Sequence, residues 1–184
     1  MTMRPIVRFG DPVLVTPTTP VTKFDRRTEA LVEDLLDTVE APGRAGVAAT
    51  QIGVGLRVFS YNVEGRIGYV INPELTELSE ETQEGEEGCL SIPGLWYPTR
   101  RAMHATVTGV DLRNEPVTVS GEGLMARALQ HETQHLDGVL YIDRLTPELR
   151  RRALRDIRRS DWFMPTDPVS SGDVRLPSAF GGAG

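Results

Sequence analysis

The chain has 184 residues, of which 39% are hydrophobic and 6% aromatic, and its formal net charge is −6. This length predicts one ordinary domain with a modest core, while the negative charge argues against bulk attraction to nucleic acid and against specific DNA binding. The single cysteine, Cys89, excludes an intramolecular disulfide and favours a reducing compartment.

The composition of the two ends of the chain predicts where the protein is located and which residues form its folded domain. The N-terminus has no apolar run of signal-peptide length, and the sequence contains no run of 18 apolar residues, so we expect a cytoplasmic protein that contacts no membrane. Residues 1–164 are predicted to form one domain. Residues 165–184 are rich in Pro, Ser and Gly and are predicted to be a disordered tail.

The first part of the chain contains one predicted helix and two predicted strands. Residues 4–22 are rich in Pro and Thr and are predicted to be extended, because their prolines exclude a helix. Residues 25–41 have the apolar spacing of an amphipathic helix, with Asp25 as its N-cap. Alternating apolar residues predict strands at 56–61 and 67–71, joined by a turn.

Residues 46–53 lie between this helix and the first strand and are mostly small. Small residues let a backbone approach a ligand closely, but a tight loop packed on a helix would have the same composition. Gln51 is the one polar side chain of this stretch with enough reach to act on a ligand.

An acidic block follows the strands. Residues 74–87 contain seven glutamates and no Lys or Arg, which predicts a solvated loop or edge. The block leads directly into Gly88 and Cys89, so the cysteine is predicted to lie in a glycine-flanked turn. A structural free cysteine is more often buried among hydrophobic residues.

The remainder of the chain is predicted to be a hairpin, a helix, a short strand and a second helix. The hairpin is expected within 103–119, the helix at 124–136 and the strand at 139–142. Thr146 is a typical N-cap with Pro at the next position, so the last helix is predicted to begin there. The predicted helix at 124–136 is apolar on most sides and is therefore expected to be central and buried.

This central helix carries the pattern His-Glu-x-x-His, which uses two of the three histidines in the chain. His131 and His135 are one helical turn apart and face the same way, with Glu132 beside them. Two imidazoles and a carboxylate in this arrangement are typical of a divalent metal site with a general base. Coincidence, or a pair of hydrogen-bonded core histidines, is the alternative.

A catalytic divalent site usually has a third protein ligand. His104 lies in a predicted strand, and Glu87 is a further candidate. Asp137 is two residues beyond His135 and so points away from it around the helix. Cys89 lies in a turn whose small neighbours admit a substrate, so cysteine usage and position favour Cys89 as the third ligand.

Three elements occur together in chain order. Residues 46–51 read Gly-x-Ala-Ala-x-Gln, residues 87–91 read Glu-Gly-Cys-Leu-Ser, and residues 131–135 read His-Glu-x-x-His. In this combination the sequence resembles peptide deformylase over roughly residues 4–160. The resemblance implies an α+β fold in which antiparallel β-sheets pack around a central HExxH helix, with one N-terminal and one C-terminal helix.

The resemblance also implies an enzyme, a hydrolase of protein biosynthesis, that removes the N-formyl group from the formyl-methionine of new polypeptides and releases formate. Cys89, His131 and His135 would bind the metal, Glu132 would be the acid/base, and Gln51 with the backbone N–H of Leu90 would hold the oxyanion. The family is usually iron(II)-dependent, with zinc, nickel or cobalt able to occupy the site. Substrate-binding residues are then expected at five positions: Arg44, Gly46, Val47, Leu124 and Ala128.

One position departs from the family pattern. The first glycine of Gly-x-Gly-x-Ala-Ala-x-Gln is Arg44 here, which makes a specialised or non-catalytic binding paralogue more plausible. A zincin-like endopeptidase is a second alternative, and it would use His or Glu as its third ligand.

Two groups of charged residues each have a functional and a purely structural interpretation. Glu87 and Arg101 either support the metal turn as an ion pair or are two solvated charges. Residues 144–160 contain seven arginines and two acidic residues, so the last helix either docks on ribosomal RNA near the nascent-chain exit or is an ordinary exposed helix face.

Overall fold

The computed structural model describes residues 3–163, which form three α-helices and seven β-strands. The helices are α1 (Arg26–Val39), α2 (Gly123–Leu136) and α3 (Pro147–Arg159). The strands are β1 (Gly46–Ala48), β2 (Val58–Val63), β3 (Arg66–Leu78), β4 (Thr82–Cys89), β5 (Ile92–Ala102), β6 (His104–Val110) and β7 (Pro116–Glu122). The predicted tail at 165–184 lies outside the described residues.

The strands form two antiparallel sheets. The larger has the order β1-β2-β3-β6-β7, and the smaller is the hairpin of β4 and β5. The predicted α+β class with antiparallel sheets is confirmed. Within residues 3–163, no helix has both the length and the apolar character needed to cross a bilayer.

Alternating side chains of the larger sheet pack against different helices. Val58 belongs to the apolar cluster that includes α1, while the adjacent Phe59 belongs to the cluster that includes α2. On β3, Ile71 belongs to the cluster that includes α1 and the adjacent Val70 to the cluster that includes α2. This is expected because successive residues of a strand face opposite sides of the sheet. The sheet therefore separates α1 from α2, and α2 lies between the sheet and the β4–β5 hairpin.

The helix α2 is buried along most of its length, as its composition predicts. Eleven of its fourteen residues are buried, including both histidines and Glu132. The predicted helices at 25–41 and 124–136 are present, and Asp25 accepts hydrogen bonds from the backbone N–H groups of Arg27 and Thr28. Thr146 likewise caps α3 by accepting from Leu149.

Two of the predicted local structures are wrong, and a third is right in one of its alternatives. The acidic block at 74–87, predicted to be a solvated loop or edge, is not a loop, because β3 continues to Leu78 and β4 begins at Thr82. It is a solvated edge, since β4 belongs to a two-stranded sheet and six of the seven glutamates are exposed. The predicted strand at 139–142 is replaced by a 3-10 helix at Tyr141–Arg144. A further 3-10 turn, at Pro12–Val15, interrupts the extended N-terminal segment. It forms because Pro is tolerated at the first helical position and Asp11 accepts from the N–H of Val13.

Candidate active site

The two histidines of α2 direct their Nε2 atoms towards the same point. The Nε2 atoms of His131 and His135 lie 3.1 Å apart, and both side chains are buried. Positions four apart on a helix are one turn apart, which is why the two rings meet edge to face with their centroids 4.8 Å apart.

Cys89 completes a three-residue cluster with these histidines. Its Sγ lies 3.2 Å from Nε2 of His135, and the three ligand atoms all lie within 4.8 Å of one another. Ligand atoms around one tetrahedral ion are separated by roughly 3.3–3.8 Å. Two of the separations in this cluster, 3.1 and 3.2 Å, are close to that range, so the cluster is a candidate metal site. A thiolate and two imidazoles also form a donor set suited to zinc and related divalent metals. Cys89 was predicted in a glycine-flanked turn; it is the last residue of β4, directly before a turn at Leu90 and Ser91, and its side chain is buried.

Glu132 lies beside this cluster under the backbone of β1. The Cα of Gly46 approaches its carboxylate so closely that a Cβ at this position would overlap Oε1. The other oxygen, Oε2, is buried and has no hydrogen-bond partner within residues 3–163. Burial raises the pKa of Glu132 to about 7, against the opposing positive charge of His131. The glycine of the 46–51 motif thus makes room for the carboxylate.

Gln51 reaches the cluster from the 3-10 helix at Ala49–Ile52. Its Oε1 accepts a hydrogen bond of 3.0 Å from the N–H of Ala48, which leaves the amide nitrogen directed towards Cys89. Nε2 lies 3.5 Å from Sγ of Cys89 and 3.4 Å from Oγ of Ser91. The side chain is therefore fixed with a donor at the edge of the ligand cluster.

A cavity of about 660 Å³ opens onto these groups, a size suited to a small ligand or a short peptide. The predicted substrate-binding residues on its wall are Arg44, Gly46, Leu124 and Ala128, and Leu90 lines it as well. Val47 differs from the others, because its side chain is fully buried in the apolar cluster that includes α1. Val47 can therefore contact a ligand only through its backbone atoms.

Comparisons with known proteins identify the architecture around this cavity. Residues 3–151 match the family model described as polypeptide deformylase. The peptide deformylase of Acidothermus cellulolyticus is 56% identical over 172 residues, which are 93% of this chain and 94% of that protein. The chain belongs to the polypeptide deformylase family. It is therefore an enzyme that removes the N-formyl group from newly synthesised polypeptides.

Solved structures of deformylases agree with the sequence match. The crystal structure of a peptide deformylase from Legionella pneumophila has a TM-score of 0.81 and 35% identity, covering 91% of this chain and 100% of that one. The structure of the enzyme from Thermotoga maritima has a TM-score of 0.75 and 41% identity, covering 80% of this chain and 100% of that one. Peptide deformylase is a metalloenzyme, and the Cys89, His131 and His135 cluster is a metal-capable site of this chain.

In this deformylase a second group of charges lies behind the ligand cluster. Glu87 accepts from Nδ1 of His131 at 2.7 Å, from Nε of Arg101 at 2.9 Å and from Nη1 of Arg127 at 2.6 Å. Burial alone would raise the pKa of Glu87, but the hydrogen bonds from Arg101 and His131 lower it overall. The hypothesis of an ion pair between Glu87 and Arg101 is confirmed, and both side chains are buried rather than solvated.

The other candidate ligands lie elsewhere in the deformylase fold. His104 is exposed and lies 3.1 Å from Glu122, while Asp137 accepts from Arg57 at 2.7 Å. Arg44, the departure from the family pattern, donates to the carbonyl of Thr38 in the last turn of α1 at 2.7 Å. A cation at a helix C-terminus is favourable, so Arg44 has a structural role as well as a place on the cavity wall.

Arg127 is a residue of this deformylase site that the sequence did not single out. It is one turn before His131 on α2, lines the cavity, and also donates to the carbonyl of Thr99 on β5 at 3.0 Å. An arginine within an otherwise apolar helix was the available signal, since a buried guanidinium requires a partner. Its partner, Glu87, lies on β4, which the sequence did not predict as a strand.

Proposed function

We propose that Cys89, His131 and His135 hold one divalent metal ion and that Glu132 is the acid/base of formamide hydrolysis. The observation that carries the proposal is the convergence of three donor atoms within 4.8 Å beside a buried carboxylate oxygen that lacks a partner among residues 3–163. His131 is oriented for this role by Glu87, since a carboxylate on the far ring nitrogen fixes both the tautomer and the ring.

The chemistry divides between the ion and the side chains around it. When bound, a divalent ion supplies Lewis acidity, lowering the pKa of a water from about 15.7 towards about 7. Glu132 takes the proton of the attacking water at Oε2 and delivers it to the departing amine nitrogen. We infer Fe²⁺ as the resident ion from the family resemblance, with Zn²⁺, Ni²⁺ or Co²⁺ compatible with the same donor set.

The developing charge on the formyl oxygen requires a donor in the transition state. Nε2 of Gln51 supplies one, because its amide is already held by the N–H of Ala48 and needs no reorganisation. The backbone N–H of Leu90, next to Cys89, supplies a second. The methionine side chain occupies the cavity along Leu124 and Ala128, with Arg44 and Gly46 at the opposite wall.

Formate release tests the proposal directly. Protein purified anaerobically is assayed with formyl-Met-Ala-Ser, and its metal content is measured by mass spectrometry on the same sample. We expect one ion per chain, iron in the majority, and formate release that Glu132→Ala abolishes. Intact protein that carries one ion but releases no formate would contradict the proposal and leave a non-catalytic binding paralogue.

We also propose that α3 docks on ribosomal RNA near the nascent-chain exit. The supporting observation is a set of exposed arginines on one short helix: Arg151, Arg155, Arg158 and Arg159. The apolar side of the same helix, with Ala153 and Ile157, is buried against the fold, so the arginines face outward. Clustered arginines suit phosphate groups, which they bind with paired N–H donors.

Cosedimentation with ribosomes tests this docking. Changing Arg151, Arg155 and Arg158 together to Gln should reduce binding at low salt, while formate release from a tripeptide stays unchanged. The control is the pair Arg26→Gln and Arg27→Gln, which removes exposed arginines from α1. Equal cosedimentation of both variants and the wild type would leave α3 as an ordinary exposed helix face.

A further inference from the structure

The N-terminal strap, which we define as residues 7–18, attaches to two of the loops that form the active site. The N–H of Val7 donates to the carbonyl of Gln51 at 2.8 Å, and the N–H of Phe9 donates to the carbonyl of Ser91 at 2.8 Å. Both accepting residues are buried. One of these carbonyls belongs to the candidate oxyanion residue itself, and the other belongs to the turn that follows the cysteine of the cluster.

The far end of the strap attaches to the helix that carries the histidines. The N–H and the hydroxyl of Thr18 both donate to the carbonyl of Leu136, at 2.9 Å and 2.8 Å. Leu136 is the last residue of α2 and follows His135 directly. The last four carbonyls of a helix have no partner within the helix, so this contact satisfies one of them beside a residue of the cluster.

Two apolar side chains hold the strap between these attachments. Leu14 is 1% exposed and belongs to the same apolar cluster as Cys89. The ring of Phe9 packs against that of Phe163, with centroids 6.0 Å apart. The strap therefore follows a fixed path, along which it meets the three motifs of the site in turn.

The strap contributes no side chain to the site itself. None of residues 7–18, all of which the structure describes, lines the active-site cavity. The site nevertheless depends on separate elements meeting closely, since Cys89 lies 3.5 Å from Nε2 of Gln51 and 3.2 Å from Nε2 of His135. Ligand groups must be held to within about 0.5 Å of their working geometry, and contacts outside the ligand set supply that precision.

We propose that the strap is a positioning element of the metal site, and that its attachment and metal binding strengthen each other. The bond from Phe9 positions the Cys89 turn, and the bond from Val7 positions the amide of Gln51. The inference rests on the proposed function, because it takes Cys89 as a metal ligand and Gln51 as the oxyanion donor. Coupling between two equilibria is reciprocal, so an ion bound at the cluster also tightens the strap.

Single proline substitutions test the two attachments separately, because proline removes one N–H donor and fits an extended segment. Co²⁺ is the probe ion, since the donor set accepts it. Phe9→Pro should weaken Co²⁺ affinity about tenfold, the lower end of the range for lost outer contacts. Val7→Pro should leave that affinity within about twofold of the wild type but lower kcat of the Co²⁺-saturated protein about tenfold, with KM little changed.

Two control variants separate these effects from general destabilisation. Arg8→Pro introduces the same ring between the two attachments, where the N–H donates to no group among residues 3–163. Phe9→Leu keeps the N–H and replaces only the aromatic ring. Both should keep wild-type Co²⁺ affinity and kcat.

Hydrogen exchange of the wild type tests the reciprocal effect without any variant. Mass spectrometry of peptides spanning residues 6–10 compares the metal-free and Co²⁺-loaded protein, with residues 110–116 as the reference. The N–H groups of Val7 and Phe9 should exchange about tenfold more slowly in the loaded protein. The reference is a hydrogen-bonded turn between β6 and β7, and its exchange should change little.

Equal slowing in both segments, or equal losses of affinity and kcat in the two strap variants, would overturn the inference and leave the strap as a general brace of the fold. Strap variants that match Arg8→Pro in both quantities would overturn it as well. Folded wild-type protein that binds no Co²⁺, or binds it and releases no formate, would instead reject the proposed function.

Discussion

The sulfur of Cys89 lies 3.2 Å from Nε2 of His135, although 46 positions separate the two residues in the chain. Cys89 is the last residue of a strand, and His135 lies in the last turn of a helix. The contact exists because the β4–β5 hairpin packs against the face of α2 that carries the histidines.

The first prediction concerns this contact. Cys89→Ala should reduce metal affinity by more than about 100-fold, since loss of an outer contact to a ligand already costs 10- to 100-fold. Formate release should fall with it. The measurement is metal content after extensive desalting, together with a formate assay. His104→Ala is the control, because this exposed histidine should leave metal content unchanged. Full metal retention by Cys89→Ala would remove cysteine from the ligand set.

Gly46 should be sensitive to a single added methyl group. Gly46→Ala places a Cβ on the Glu132 carboxylate, and displacing a catalytic group by about 1 Å can cost around 100-fold in rate. Overpacking of this kind also destabilises by about 1–3 kcal/mol. Formate kinetics and urea unfolding measure the two effects. Gly55→Ala is the matched change at an open position, and it should alter neither quantity.

Gln51→Leu should separate catalysis from stability. Loss of one oxyanion donor is worth about 3 kcal/mol, so kcat at saturating substrate should fall about 100-fold with little change in KM. The orphaned N–H of Ala48 should also lower the free energy of unfolding by about 1–3 kcal/mol. Gln83→Leu is the comparison, because its amide donates to the carbonyls of Ala102 and Gly123 away from the cavity. That variant should lose stability but keep kcat.

Removal of one buried arginine should be costly. Arg101→Met leaves the carboxylate of Glu87 with fewer partners, and breaking a buried ion pair typically costs about 3–5 kcal/mol. We expect the lower end of that range, because Arg127 still holds Oε2. Urea unfolding measures the difference. Arg100→Met, an exposed neighbour that donates to Thr82, should change stability by less than about 0.5 kcal/mol.

Tyr97 should make stability depend on pH in the alkaline range. Burial and the hydrogen bond from its hydroxyl to Asp156 raise the pKa of Tyr97 to about 12, from an ordinary value of 10.0. The unfolded chain therefore releases this proton at a lower pH than the folded protein. The stabilisation is complete below pH 10 and is lost as the pH rises to about 12.

Urea unfolding of the wild type and Tyr97→Phe at intervals from pH 8 to pH 12 measures this effect. The wild type should lose free energy of unfolding more steeply above pH 10 than Tyr97→Phe does. Parallel curves across the whole range would show that the phenol makes no pH-dependent contribution.

The sequence predicts the helices of this fold better than its smaller sheet. Apolar spacing and the caps Asp25 and Thr146 locate α1 and α3, since both signals are local. The strand β4 could not be recognised from the sequence, because its outward positions include Glu84 and Glu86 and its inward positions include Gly85 and Glu87. The strand therefore lacks the alternation of apolar and polar residues that predicts a strand. Its pairing with β5 depends on contacts far away in the chain.

The ligand residues of the site could be predicted from the sequence, but the contacts that support them could not. The spacing of His131 and His135 identifies two ligands, because a helix fixes where both must point. No local pattern connects Arg127 with Glu87, which lies 40 positions earlier in the chain. The same limit applies to residues 139–142, because four apolar residues in a row do not distinguish a strand from the start of the buried 3-10 helix at Tyr141–Arg144.

The alternation of side chains along β4 limits where residues can be inserted or deleted without disrupting the site. Glu87 and Cys89 face α2 because they are two residues apart on one strand. Insertion or deletion of a single residue between them would turn one towards solvent and separate the ligand from the carboxylate that orients its partner histidine. Insertions are better accommodated in the connection between β6 and β7, around Asn114, which is exposed and remote from both groups.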